Sequence, residues 1–194
     1  MAPKLSIAVV EQDHDRALMI VDGLREAGDY DITVLGDVTG LARRLAALAP
    51  DVVLIDLESP DRDVVDALTL ASSPIERPVA MFVDRSDDGV MRAAIEAGVS
   101  AYVVGGLSRE RIKPVLTAAI ARFHVVARLR AELAATKAAL EQRKLVDRAK
   151  GMLMKAKGLS EEEAYAALRH TAMAQGRKVA DVAQALITAA DLLK

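Results

Sequence analysis

The chain has no cysteine and no tryptophan, and only three tyrosines and two phenylalanines among 194 residues. Without cysteine there is no disulfide framework and no thiolate metal site. Its three histidines, His14, His124 and His170, are too scattered to propose a metal cluster, so no metal and no cofactor is expected. No apolar run approaches the ~20 residues of a membrane span. The N-terminal MAPKLSIAVV has only a strand-length apolar run, without the long apolar core and small-residue cleavage site of a signal peptide. A bacterial cytoplasm is the expected setting, with no membrane partner. No nucleophile–base pair or metal set can be assembled from these residues either, which makes an enzyme the least expected class.

What the chain does have is Ala, Leu and Val in abundance, suited to helices and buried parallel strands, and an uneven distribution of charge. Residues 1–107 carry 9 Lys/Arg against 19 Asp/Glu, whereas 108–194 carry 17 against 9. The net −2 of the whole therefore conceals an acidic half at −10 and a basic half at +8. Such asymmetry assigns different tasks to the two halves. It also allows the acidic half to mask the basic one through a salt-sensitive contact.

The acidic half alternates strand and helix. Leu5 to Val10, Asp31 to Leu35, Val52 to Ile55, Val79 to Val83 and Ala101 to Val104 are short apolar or β-branched runs, each followed by a helix or turn pattern. Five parallel strands in a doubly wound α/β sheet are the economical solution. Sites in such sheets lie at the carboxyl ends of the strands. There the sequence places Glu11, Gln12 and Asp13 after the first strand, Asp56 at the end of the third, Val83 at the fourth and the Gly105-Gly106 pair at the fifth. Two glycines at a strand end could cradle an anion through backbone N–H groups, but without a Gly-rich nucleotide motif a strand-to-helix turn is the favoured reading.

From Ser108 the sequence is helical for some forty residues, with Pro114 read as a first-turn residue or a mild kink. Val126, Leu129, Leu133, Thr136 and Leu140 step by three and four, an a/d seam of about two heptads whose phase breaks at Arg143. A lone helix of this length is unsupported in water, so parallel homodimerisation through the seam is expected.

The segment from Leu145 onward has its own grammar. Leu145, Ala149, Met152, Leu153 and Ala156 form a helical stripe, and Gly158 is suited to a left-handed cap. Ser160 and Glu163 make a capping box that starts a second helix, ending near Gly176. Val179, Val182, Ala183, Leu186, Ile187, Ala190 and Leu193 then fit a third. From Arg143 to Lys178 there are nine Lys/Arg and four Asp/Glu. Lys144, Arg148 and Lys155 flank one side of the first stripe, Lys150 and Lys157 the other; Tyr165 and Arg169 project together, and Arg177 and Lys178 sit in the next turn. A solvated amphipathic helix accounts for part of this charge, and a polyanion accounts better for its concentration. Met154 lies opposite the stripe, as a packing contact for a partner or an exposed apolar platform.

At AKGMLM (Ala149 to Met154), Gly158, Ser160, Glu163, Ala164, Leu168, Ala172 and Ala183 the chain resembles the ANTAR domain, a family of RNA-binding antitermination modules. That resemblance implies binding of hairpin loops in nascent leader transcripts, which prevents a terminator hairpin from forming. Lys144, Arg148, Lys150, Lys155, Lys157, Tyr165, Arg169, Arg177 and Lys178 are the candidate RNA contacts. Their cations suit phosphates, and the aromatic suits an unstacked base. The acidic half looks like a response-regulator receiver of the two-component type. A working receiver holds Mg²⁺ on two acids beside a phosphoryl-accepting aspartate, with a hydroxyl after strand four and a lysine after strand five. Here those positions read Glu11 and Gln12, Asp56, Val83 and Gly105. Asp13 is the one nearby acid that could stand in for Gln12. With the phosphoryl-stabilising groups lost, a pseudo-receiver is expected, Asp56 being a residue of the fold rather than a used acceptor.

The whole order, with 1–107 as degenerate receiver, 108–144 as helical coiled-coil linker and 145–194 as the three-helix module, resembles AmiR/NasR-family antiterminators. DVVLIDLESPDRD, MFVDRSDD and AYVVGGLS are most similar to the NasT type. That type implies control of nitrate and nitrite assimilation genes and sequestration by a NasS-type sensor protein. Two other readings stay open: a phosphorylation-dependent response regulator that binds DNA, and an interaction module whose basic face binds an acidic protein.

Overall fold

The computed structural model describes residues 4–192. It divides into two compact units, residues 1–128 and 129–194.

The first unit holds β1 (Leu5–Val10), β2 (Tyr30–Leu35), β3 (Val52–Leu57), β4 (Val79–Val83) and β5 (Ala101–Val104), all parallel in the order β2-β1-β3-β4-β5. Between them run α1 (His14–Ala27), α2 (Leu41–Leu48), α3 (Arg62–Ser72) and α4 (Asp88–Glu96), and the start of α5 (Arg109–Lys157) closes the layer. The strand runs expected from sequence are thus the strands observed, and the sheet is the doubly wound one.

Strand residues alternate between two cores, as the pleat requires. Ala8, Val10, Val53, Ile55 and Met81 pack with Leu41, Leu45, Val65, Leu68, Val90 and Ala94 of α2, α3 and α4. Ile7, Val9, Leu54, Ala80 and Phe82 pack with Ile20, Leu24, Ile112, Leu116 and Ala119 of α1 and α5. Because both faces are covered, the strands need no polar alternation.

The second unit comprises the end of α5 with α6 (Glu161–Gln175) and α7 (Val179–Asp191) around a core of Ala149, Leu168, Ala172, Val182, Ala183 and Ile187. Gly158, at φ 67°, ends α5 in the left-handed region, where a Cβ would be strained. The capping box is complete: Ser160 Oγ accepts from Glu163 N at 3.3 Å, and Glu163 Oε2 accepts from Ser160 N at 2.9 Å.

Some expectations change. The phase break at Arg143 does not interrupt the backbone, since α5 is one helix of 49 residues that contains both the seam and the first stripe. Pro114 lies in its second turn, not its first, and cannot donate to the Glu110 carbonyl. Ala156 is exposed because the core it was expected to join stops at Leu153. Leu193 lies outside the described residues. Among the described residues no helix is long and apolar enough to cross a membrane.

Candidate nucleic-acid interface

In the second unit the end of α5, α6 and the α6–α7 turn enclose a shallow groove of about 790 Å³. Val146, Ala172, Met173 and Val179 supply its apolar surface; Tyr165 lines it; and Arg143, Lys150, Arg169, Arg177 and Lys178 bring five cations against one carboxylate, Asp147. The fold explains the convergence. Tyr165, Arg169 and Met173 are successive one-turn steps on α6. Gly176 then turns the chain so that Arg177 and Lys178 come round to the same opening. Lys178 is the N-cap residue of α7 and makes no side-chain cap, and the first-turn residues Val179 and Ala180 line the groove, so the positive end of that helix lies beside these cations.

Of the candidate contacts, Lys150, Tyr165, Arg169, Arg177 and Lys178 are therefore brought together. Arg143 joins them; its place in the linker had hidden it. Lys144, Arg148, Lys155 and Lys157 do not line the groove. Lys144 pairs with Glu141 at 2.8 Å and Arg148 with Asp191 at 3.0 Å, while Lys155 and Lys157 are exposed on the last turn of α5. Within the groove the cations are not equivalent. Lys150 is held by Asp147 and Glu161, both of which keep its ammonium protonated above the usual lysine range. Arg169 and Lys178 have no ion pair among the described residues. Met154 is partly exposed, at 38 %.

The receiver pocket has an occupant that was not read from sequence. Arg16, in the first turn of α1, inserts its guanidinium between Asp56 and Asp84. Nε and Nη2 donate to Asp56 Oδ2 at 3.0 and 2.7 Å, and Nη1 donates to Asp84 Oδ2 at 2.8 Å. Nε also lies 3.4 Å from Glu11 Oε2. The Asp56 side chain is fully buried, and that desolvation pushes its carboxyl up to about 6 despite Arg16. Asp84, outside the sheet and hydrogen-bonded by Arg16, is held below the usual range. Glu11, Gln12 and Asp13 all line the pocket with Asp56. Asp13, however, is engaged as the N-cap of α1, accepting from Arg16 N at 2.8 Å, and Glu11 Oε1 accepts from Asp13 N.

The Gly105-Gly106 pair is a turn and not an anion cradle: both N–H groups donate to the Val83 carbonyl, and both residues have positive φ. A Cβ on Gly106 would lie 2.6 Å from Asp84 Oδ1, so the glycine leaves room for the Arg16–Asp84 pair.

The model of the ANTAR domain family matches residues 134–187. Over 176 residues the chain is 31% identical to the transcriptional regulatory protein PdtaR of Mycobacterium tuberculosis, an alignment spanning 89% of this chain and 86% of that protein. It is 43% identical over 65 residues to the nitrate regulatory protein of Klebsiella oxytoca, which is 34% of this chain and 16% of that one. A response regulator from Thermotoga maritima is similar in structure with a TM-score of 0.52, at 13% identity, over 61% of this chain and 99% of that chain, a likeness of fold.

Proposed function

Because the chain belongs to the ANTAR-domain family of transcription antitermination regulators, and is not an enzyme, we propose that the groove of the second unit is its RNA-binding site. The observation that carries this is the convergence of Arg143, Lys150, Arg169, Arg177 and Lys178 around Tyr165 and an apolar surface. Hairpin loops present phosphates together with splayed bases, and this surface has a matching element for each: cations for the phosphates, Tyr165 for stacking, and Met173 and Val179 against a base edge. Occupying a loop in a nascent leader prevents the competing terminator hairpin from forming.

The seam on α5 supports a homodimer. Leu129, Leu133 and Leu140 are 57 %, 55 % and 53 % exposed, and a second copy would cover them. Two modules per dimer suit a leader with two hairpins. Control of nitrate and nitrite assimilation, with a NasS-type sensor holding the chain inactive, is our reading of its NasT-like segments and of the likeness to the nitrate regulatory protein.

The test is binding to a leader transcript with paired hairpin loops, against the matching DNA duplex, across a salt series. Loop-dependent binding is expected. Preference for the duplex would favour a DNA-binding response regulator, and binding to neither would favour a protein-interaction module.

A further inference from the structure

Receiver folds bind a divalent cation between the acids after β1 and the aspartate of β3. The residues present here do not fit such an ion. Mg²⁺ asks for near-octahedral oxygen ligands at about 2.1 Å. In this chain the equivalent carboxylates are arranged around a planar guanidinium, with Arg16 in contact with Glu11, Asp56 and Asp84 at once. Among the described residues no three His, Cys, Asp or Glu side chains converge as a metal site. The oxygens of Asp56 and Asp84 are hydrogen-bonded to a guanidinium instead.

We propose that Arg16 is the resident cation of this pocket, in direct competition with any divalent ion, and that it makes the receiver a closed unit. Four observations carry the assignment. The Asp56 side chain is fully buried, and among the described residues Arg16 is the charged group that donates to its Oδ2. Asp84 follows β4 directly, one residue beyond the position where a receiver needs its hydroxyl, and forms the other wall of the clamp. Val83 and Gly105 bring neither a hydrogen-bond donor nor a charge to the pocket from their side chains. Finally, among the described residues Glu11 Oε2 and Asp56 Oδ1 are buried and accept no hydrogen bond, Glu11 Oε2 meeting Arg16 only as an ion pair at 3.4 Å, so the three carboxylates outnumber the one guanidinium and the pocket retains a demand for cations. Three carboxylates around a single positive charge attract metal ions; what excludes them is that the charge already present is fixed in their place.

The consequence is regulatory. A receiver whose metal seat is filled by its own side chain is not switched by metal-dependent phosphorylation. Its state is set through contacts on its surface. This inference concerns the first unit alone and is independent of where RNA binds.

The experiment is Mn²⁺ titration of the full chain, followed by paramagnetic broadening of the amide signals of Glu11, Asp56 and Asp84. Wild type is expected to show no saturable broadening at these positions up to about 10 mM. Arg16→Ala is expected to bind at least about a hundredfold more tightly, because a fixed charge a few ångströms from the ion has been removed, and Arg16→Ala combined with Asp56→Asn is expected to lose most of that gain. Should Arg16→Ala fail to fold, Arg16→Gln makes the same comparison, since it keeps a donor for Asp56 and carries no charge. Saturable millimolar binding by wild type, or a folded Arg16 variant that takes up no more Mn²⁺ than wild type, would overturn the proposal.

Discussion

Lys150 Nζ lies 2.7 Å from Asp147 Oδ1 and 2.7 Å from Glu161 Oε1, so one ammonium ties α5 to the first turn of α6. Its charge is balanced before any ligand arrives. A phosphate that takes Lys150 must displace a carboxylate and releases less counterion than a contact with an unpaired cation. Arg148, paired with Asp191, is in the same position.

The cations of the second unit therefore form a hierarchy. Arg169→Ala and Lys178→Ala are each expected to reduce the slope of log affinity against log salt by about 0.7 to 0.9 for a hairpin loop. Lys150→Ala and Arg148→Ala should reduce it by less than half as much. Filter binding or fluorescence anisotropy at four salt concentrations measures this, and equal slopes for all four variants would remove the hierarchy.

Tyr165 separates stacking from charge. Tyr165→Ala is expected to weaken loop binding by about 1 to 3 kcal/mol with the salt slope unchanged, whereas Tyr165→Phe retains most of the affinity because the ring face does the stacking. A loss in Tyr165→Phe as large as in Tyr165→Ala would assign the contact to the hydroxyl instead.

The Asp56 titration has a definite sign. Its carboxyl is raised from 3.8 to about 6 in the folded chain, chiefly by burial. The folded state therefore holds a proton that the unfolded state has released between those values, and stability falls as pH rises through that window, by up to about 1.4 kcal/mol per pH unit. Carboxylates held low, such as Asp84 and Glu163, act in the opposite direction and only at more acid pH. Carboxyl ¹³C NMR should place the Asp56 midpoint near 6. Arg16→Ala should move it upward, since Arg16 is the group that lowers it. Urea unfolding at pH 5 and pH 7 should show the more acid sample to be more stable, and Asp56→Asn should remove that difference.

The sheet was legible because each buried strand is a short apolar run bounded by acids, glycine or proline, and the second unit because capping residues mark its helix ends. Arg16 was not legible. It stands in HDRALMIVDGLREA, where an arginine in the first turn of an amphipathic helix looks like a solvated charge. Only the β1-β3-β4 order brings it within reach of residues 40 and 68 positions away. The signal available in sequence was Asp84: an extra acid after β4, in a pocket lacking its lysine, requires a cation from elsewhere. The groove was half legible for a related reason. Spacing places Tyr165 and Arg169 on one face of α6, but which flank of α5 they meet depends on how the helices pack, and so spacing alone does not show that Arg143 lines the groove and that Lys155 and Lys157 do not.

The seam on α5 gives the last prediction. Leu129, Leu133 and Leu140 are half exposed in the single chain, and Thr136, between them in the repeat, hydrogen-bonds its own helix through the Glu132 carbonyl at 2.8 Å. A polar residue thus sits in the seam with its hydroxyl already satisfied, which costs less on dimerisation than an unpaired one. Leu133→Glu would place two carboxylates against each other in a parallel pair, so sedimentation should show a monomer for the variant and is expected to show a dimer for wild type. The variant should bind a single hairpin as wild type does, because the groove lies on other residues. Its affinity for a two-hairpin leader should fall by about 10² or more, as the second contact loses its effective concentration. An equal loss on one hairpin and on two would mean that the seam acts on the groove itself rather than by joining two copies of it.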